Sequence, residues 1–370
     1  MSDMPIRVAV LGAGGLGKAA AQIIGQKREL RLVAMCDSHG CVASSNGINA
    51  EQIAAVTGDL VEGFCAAEPF RSAATHQRYA TAESRSGVRN GMATGVAIRS
   101  TIRQEGVEAR HCDDPIGEVI AMADQFDAVL VALPNLPNEF IPQVLQRFVR
   151  ANRSLVFVDV LKRTRAVELM FELDPVVQQA RSVVMTGCGA TPGFLAAAAV
   201  LAAQSFIKVE KVEIWWGVGI ANWEAYRATI REDIAHLPGY TVERARAMSD
   251  ADVDALLERT NGLLELRRME HADDVLLQRV GVVDDLEQVE VGGVMDTRHP
   301  KKPVSTTMTL TGVTFDGKRS SHKFILGDET TMAANVIGPA LGYLKRGLWL
   351  KERQLFGVFG CTEFLPMVVR

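Results

Sequence analysis

The 370-residue chain lacks most of what would mark a nucleic-acid-binding, membrane or secreted protein. Its 40 Lys+Arg and 44 Asp+Glu leave a net charge of −4, and no basic cluster stands out that could follow a phosphate backbone. Apolar runs are too short or too interrupted to span a bilayer. The opening MSDMPIR leads straight into an apolar strand, without the apolar core and cleavage site of a signal peptide, so a cytoplasmic location is expected. Six cysteines (Cys36, Cys41, Cys65, Cys112, Cys188, Cys361) form no CxxC pair and have no histidines at ligand spacing. That argues against a zinc site and against a disulfide framework, and no metal is expected. Aromatic residues are only 6% of the chain while 48% is hydrophobic, so the core is mostly aliphatic and the length suggests two domains.

What is present begins at Ile6–Gly17, IRVAVLGAGGLG. An apolar run of strand length enters Gly12-Ala13-Gly14-Gly15-Leu16-Gly17, and Lys18 to Lys27 then carries Ala19, Ala20, Ile23 and Ile24 at helical spacing. Gly12 permits a tight turn, Gly14 lets backbone N–H groups approach a pyrophosphate, and Gly17 lets helix and strand pack closely. The phosphates would lie at the helix N-terminus. A second apolar run, Leu30 to Cys36, ends at Asp37, where an acid can meet the ribose hydroxyls of a dinucleotide, with Ser38 beside it. The pattern predicts an α/β, doubly wound parallel sheet that binds NAD, with NADP possible.

Further along, VASSNGINAEQIAAV reads as a loop with a turn at its Ser-Asn-Gly cluster, and Asn49-Ala50-Glu51 opens a helix that continues to about Phe64. Residues 66–106 are polar and rich in arginine, and read as an insertion with one helix near Ala93–Gln104. Regular α/β alternation resumes with the strand Asp127–Leu133, which ends in Pro134-Asn135. Leu133, Pro134 and Asn135 would flank the cofactor at the carboxyl edge of the sheet, or simply form a proline-stopped strand end. The strand Ser154–Val160 leads to Lys162, a helix is read over Arg165–Ala180, and the strand Ser182–Thr186 leads to the loop GCGATPG, Gly187–Gly193, with a helix starting at Pro192. From Val209 the pattern changes to alternation. Val212, Ile214 and Trp216 share a face, as do Val304, Thr306, Met308 and Leu310; Asp316-Gly317 makes a hairpin, and Ser320, His322, Phe324 and Leu326 return. Helices are read over Asn222–Ala235, Asp250–Arg268 and Thr331–Arg346, the last stopped by Gly347. The expected division is a Rossmann domain of residues 1–190 and 330–370 and an α+β domain of residues 191–329, whose half-covered antiparallel sheet would serve substrate binding and a homodimer contact.

Several stretches carry a family resemblance. DSHG, followed by a loop and NGINAEQI, is similar to the region after the second strand of homoserine dehydrogenases, as is the order Lys162 then GCGATPG. The same loop resembles the GxDPG element of saccharopine dehydrogenase-like reductases, with Ala190-Thr191 where those carry an acid, and GDETT before the last helix resembles their returning helix. The asparagine-glycine-threonine segment and the Asp…Gly-x-Asp run of homoserine dehydrogenases are missing. The resemblance therefore implies a saccharopine dehydrogenase-like NAD(P)-dependent oxidoreductase, with homoserine dehydrogenase-like features in the Rossmann half, acting on a small amino-acid-like metabolite.

Candidate chemistry falls to a few side chains. Lys162, at a strand's carboxyl end, is placed to move a proton at an oxygen or nitrogen beside the hydride-accepting carbon, or else belongs to a surface Lys-Arg-Thr-Arg turn. Cys188 would pack beside the nicotinamide, a nucleophilic role needing a base partner that is not evident. Thr191, Asn222 and Arg227 are candidate substrate contacts, Arg227 as a carboxylate clamp. Alternatives are homoserine dehydrogenase-like alcohol oxidation, or a dinucleotide-binding protein without catalysis.

Overall fold

Six apolar runs order themselves as parallel strands, because each is buried on both faces and only helices on either side can cover them. In this computed structural model the described residues are 4–66, 98–104, 106–133, 137–151, 153–220, 227–327 and 331–370. The first eight strands are β1 (Ile6–Leu11), β2 (Leu30–Cys36), β3 (Gly40–Ser44), β4 (Ile98–Gln104), β5 (Val107–Cys112), β6 (Ala128–Val131), β7 (Val156–Asp159) and β8 (Val183–Thr186). The next five are β9 (Lys208–Gly219), β10 (Leu263–Leu266), β11 (Val289–Asp296), β12 (Thr306–Val313) and β13 (Arg319–Leu326), followed by β14 (Gly357–Gly360).

A nine-stranded sheet has the order β14-β8-β7-β6-β1-β2-β3-β5-β4. Its strands from β14 to β2 run parallel, whereas β3, β5 and β4 form an antiparallel flank. The chain passes from β1 outward to β2, then crosses back to β6 on the other side of β1. That reversal is the topological switch point, where open α/β sheets bind ligands. The second sheet has the order β10-β11-β9-β12-β13. Val212 and Ile214 of β9 and Met308 and Leu310 of β12 are buried on its covered face.

The doubly wound sheet is as expected, but several elements differ from the sequence reading. Residues 42–44, read as loop, lie in the strand Gly40–Ser44, because β2 turns back on itself through Asp37–His39. Ile98–Gln104, read as helix, is strand β4, paired along its length with β5; residues 67–97 of the insertion lie outside the described residues. The helix read over Asn49–Phe64 is two, Ala50–Ala55 and Leu60–Ala66, interrupted near Gly58, whose φ is +72°. The helix read over Arg165–Ala180 breaks at Leu173, before Asp174-Pro175. Asp250–Arg259 is helical, but Asn261 and Gly262 take positive φ and turn the chain into β10. β11, unread in the sequence, runs parallel to β9, so the second sheet is mixed rather than purely antiparallel. The last helix passes through Gly347 and ends at Glu352. Gly347 is a packing residue: a Cβ there would lie 2.5 Å from Val156 Cγ1, so its absence lets the helix rest on β7. Among the described residues no helix is long and apolar enough to cross a membrane.

Candidate active site

The glycine turn after β1 has an open, anion-ready form. Gly12 has φ +108°, and a Cβ there would meet the Ala132 carbonyl oxygen at 2.4 Å, so only glycine lets the turn lie against the end of β6. A Cβ on Gly17 would meet the Gly12 carbonyl oxygen at 1.9 Å, which fixes glycine as the close helix–strand contact. Gly14 caps the helix Gly15–Gln26 without any side-chain hydrogen bond, and Cβ atoms built on Gly14 or Gly15 meet nothing within 4 Å. The start of that helix therefore has open space beside Gly14 and Gly15 and no side chain capping its N-terminus, as a bound pyrophosphate requires. Leu16 stands in the first turn, partly buried against the core, and so does Leu133 after β6. These residues have the form to hold a dinucleotide, whose phosphates would lie on the backbone around Gly14–Gly17. Pro134 and Asn135 lie outside the described residues.

Asp37 does different work from the sequence expectation of an acid turned wholly to ribose. Its Oδ1 accepts from the N–H groups of His39 and Gly40, at 2.8 and 3.0 Å, and its Oδ2 from Leu60 N at 2.7 Å. The carboxylate thus closes the β2–β3 turn and caps a helix, leaving fewer lone pairs for a ribose. Ser38 Oγ lies 3.1 Å from the exposed His39 ring. Asp37, His39 and Asp59 bring ligand atoms within 4.8 Å of one another, but with both Asp37 oxygens already engaged the cluster reads as a turn.

At the carboxyl ends of β7 and β8 the chain meets the second sheet around a cavity of about 160 Å³. Lys162, Ala190 and Thr191 line it from the nucleotide-binding side. Trp216, Val218, Met295, Thr306 and Leu326 line it from the second sheet, with Met269, His271, Asp233, Lys302 and the helix residues Asn335 and Val336 around them. Lys162 Nζ is 3.8 Å from Asp233 Oδ1, with side-chain exposures of 32% and 4%. Burial raises the Asp233 pKa above the usual carboxylate range, against the opposing pull of Lys162, and its Oδ2 has no hydrogen-bond partner. Burial also holds the nearby His236 below the usual histidine range, with Asp233 pulling the other way. His271 Nδ1 lies 2.7 Å from Oδ2 of the fully buried Asp273, though not aligned as a hydrogen bond. Thr191 Oγ1 donates to that same oxygen at 2.7 Å.

Asp159 ties the two loops together from below. Its Oδ1 accepts from Leu161 N (3.0 Å), Gly187 N (2.9 Å) and Thr186 Oγ1 (3.1 Å), while the buried Oδ2 has no partner. Burial outweighs these three donors and pushes its pKa up to about 6.

The structure thus brings Lys162 and Thr191 to one cavity. It does not bring Cys188 there: the thiol is fully buried, points to the Thr186 carbonyl at 3.5 Å, and is pushed by burial well above the usual thiol range. Its sequence position between two glycines hid this inward orientation. Asn222 lies outside the described residues, and of Arg227 only the backbone is described, as first residue of the helix Arg227–Ile234. The helix after GCGATPG begins at Phe194, not Pro192, because Gly193, at φ +128°, folds the loop back on Gly189 first. Sequence reasoning missed Asp233, His271, Asp273 and Lys302, which no local motif announces. Asp159 did leave a signal, as the lone acid in the otherwise apolar SLVFVDV.

Comparison with known proteins agrees with this geometry. The family model for glutamate/leucine/phenylalanine/valine dehydrogenase matches residues 3–111, the glycine turn included. Among solved structures, the DAP dehydrogenase of C. glutamicum in complex with DAP is 14% identical, with a TM-score of 0.51 over 98% of this chain and 94% of that one. An engineered D-amino acid dehydrogenase bound to NADP+ is also 14% identical, with a TM-score of 0.50 over 97% and 94%. At such identities the likeness is one of fold: that of NAD(P)-dependent dehydrogenases. A much nearer relative is the (S)-8-amino-7-oxononanoate synthase BioU of Haloferax mediterranei, 43% identical over 362 residues. That match covers 98% of this chain and 99% of the relative, from the glycine turn through the cavity to the last strand, so the chain belongs to the BioU family.

Proposed function

We propose that this protein is an NAD(P)-dependent oxidoreductase acting at a carbon–nitrogen or carbon–oxygen centre of an aliphatic amino-ketone acid, (S)-8-amino-7-oxononanoate or a compound one step from it. The observation that carries this reading is the convergence of Lys162, Asp233, His271 and Thr191 on a cavity that Trp216, Val218, Met269, Met295 and Leu326 make largely apolar, at the carboxyl ends of β7 and β8. The relative's product has the matching parts, a polar amino-ketone head and a long alkyl chain. When bound, a nicotinamide supplies or accepts the hydride. The chain supplies the rest. Trp216, Val218 and Met295 exclude water from the alkyl chain, Lys162 delivers or removes the proton at the reacting heteroatom, and Asp233 holds the lysine in place. His271, set against Asp273, is a second group able to exchange a proton with the ligand.

A second reading gives Lys162 a covalent part, since a lysine amine condenses with a ketone to an imine. It is favoured by Asp233, a buried carboxyl with raised pKa that lies within proton-transfer reach of that nitrogen. One experiment tests both. The protein is incubated with (S)-8-amino-7-oxononanoate and NADH or NADPH, with and without borohydride, and oxidation of cofactor and mass of the protein are followed. Cofactor turnover that disappears in Lys162→Met supports the first reading, and a borohydride-trapped adduct on the Lys162 peptide supports the second. Neither signal from folded protein refutes both.

The saccharopine dehydrogenase-like resemblance contributes the reaction type, hydride exchange at an amino-acid-like centre; homoserine oxidation and a cofactor-binding protein without turnover are the outcomes the same assay separates. NAD as the preferred cofactor, a homodimer through the second sheet, a division near residues 190 and 330, and a cytoplasmic location complete the proposal.

A further inference from the structure

We infer that Lys302 holds the carboxylate of the aliphatic acid and so decides which substrates the cavity accepts; this rests on the function proposed above. Only two lysines line the described cavity. Lys162 has its acid, Asp233, at 3.8 Å. Lys302 has a neutral neighbour: its Nζ donates to the Gly327 carbonyl at 3.2 Å, and among the described residues no carboxylate lies within ion-pair distance of it.

The two lysines also belong to different walls. Lys162 follows β7, in the nucleotide-binding sheet. Lys302 lies in the segment between β11 and β12, at the carboxyl end of β9, where a Cβ on Gly219 would meet the Lys301 carbonyl oxygen at 2.3 Å. Deeper along β9, Gly217 N donates to Thr306 Oγ1 at 3.1 Å, and Trp216 and Val218 project from the covered face. An ammonium at the end of an apolar wall, with a carbonyl and no carboxylate beside it among the described residues, is arranged for an anion that arrives with the ligand. A long-chain carboxylic acid whose other end reacts near Lys162 has that shape: head group at one lysine, alkyl chain along Trp216 and Val218, carboxylate at the other.

The test is titration calorimetry of the full chain, cofactor-loaded, with (S)-8-amino-7-oxononanoate and with its methyl ester, for wild type, Lys302→Met and Lys302→Arg. Wild type should bind the acid about tenfold to a hundredfold more tightly than the ester, the range expected for a charge-assisted contact. Lys302→Met should abolish that preference by weakening the acid alone, and Lys302→Arg should restore most of it. In steady-state assays the loss should appear in KM, with kcat nearly unchanged. An unchanged preference in Lys302→Met, or no preference in wild type, overturns the inference while leaving the function standing. Wild type that binds neither compound overturns the functional reading and the inference with it. The wild-type comparison of acid with ester decides the matter even where a variant does not fold.

Discussion

Replacing Asp159 by asparagine should make the protein's stability less sensitive to pH. The carboxyl is fully buried, and in the folded protein its pKa lies at about 6 instead of the ordinary 3.8. At about 1.4 kcal/mol for each pH unit, the gap is worth about 3 kcal/mol. The sign follows from proton binding. Between those two values the folded state holds the proton more tightly than the unfolded chain, so stability falls as pH rises through the window, and above about pH 6 the penalty for a buried ionised carboxylate is complete. Asparagine keeps an acceptor oxygen for Leu161 N, Gly187 N and Thr186 Oγ1 but carries no charge. Urea unfolding of wild type and Asp159→Asn at half-unit steps from pH 4 to 8 should therefore show the variant gaining on wild type by about 2 kcal/mol between pH 4 and 7, most of the full gap. A difference that stays flat across that range would refute the argument, and would mean that the orphaned Oδ2 finds a donor in solution. Because the same carboxyl joins the loops carrying Lys162 and Thr191, Asp159→Ala should lower turnover more than it lowers cofactor affinity.

Lys162→Met should leave cofactor binding nearly intact by fluorescence titration and lower turnover by about a hundredfold or more, as for loss of a general acid; equal losses in both would show a positional role instead. Gly14→Val should fold with an unchanged melting temperature, since nothing lies within 4 Å of its Cβ, yet weaken cofactor binding at least tenfold by filling the pyrophosphate cradle. Gly17→Ala should instead destabilise the fold, its Cβ falling 1.9 Å from the Gly12 oxygen. NADH should bind more tightly than NADPH because Asp37 repels a 2′-phosphate; the reverse order in parallel titrations would point to Ser38 and His39 as the phosphate contacts. Light scattering at micromolar concentration should give the mass of a dimer, and a monomer would remove the second-sheet interface.

How far the sequence spoke for the structure depended on how local the signal was. The turn Gly12–Gly17 was legible because strand, turn and helix adjoin and each imposes its own period within a few residues. The flank β3-β5-β4 was not, because IRSTIRQ and VEARHC owe their strand form to pairing with one another rather than to apolar alternation. Asp37 shows a finer limit: its place after the second strand was evident, but its hydrogen bonds to His39, Gly40 and Leu60 depend on a hairpin and a helix the local pattern did not announce. Lys162 and Thr191 stood out as ends of parallel strands. Asp233, His271 and Lys302 came from helix, loop and connector positions whose partners are distant in the chain, and nothing short of the fold brings them together.

The position of β14 bears on how the protein is made. β14 pairs in parallel with β8, and the nucleotide-binding sheet is incomplete without it. During synthesis, β1 to β8 emerge well before it, and the whole second sheet must be translated in between. Throughout that interval the open edge of β8 has unpaired backbone groups, and with them a chance of pairing wrongly. The final stretch also makes a clasp, with Glu29 accepting from Lys345 Nζ at 2.8 Å and from Arg370 N at 2.7 Å. Ribosome-bound chains lacking residues 357–370 should therefore be sensitive to protease around β8, and become resistant only once that last segment clears the exit tunnel.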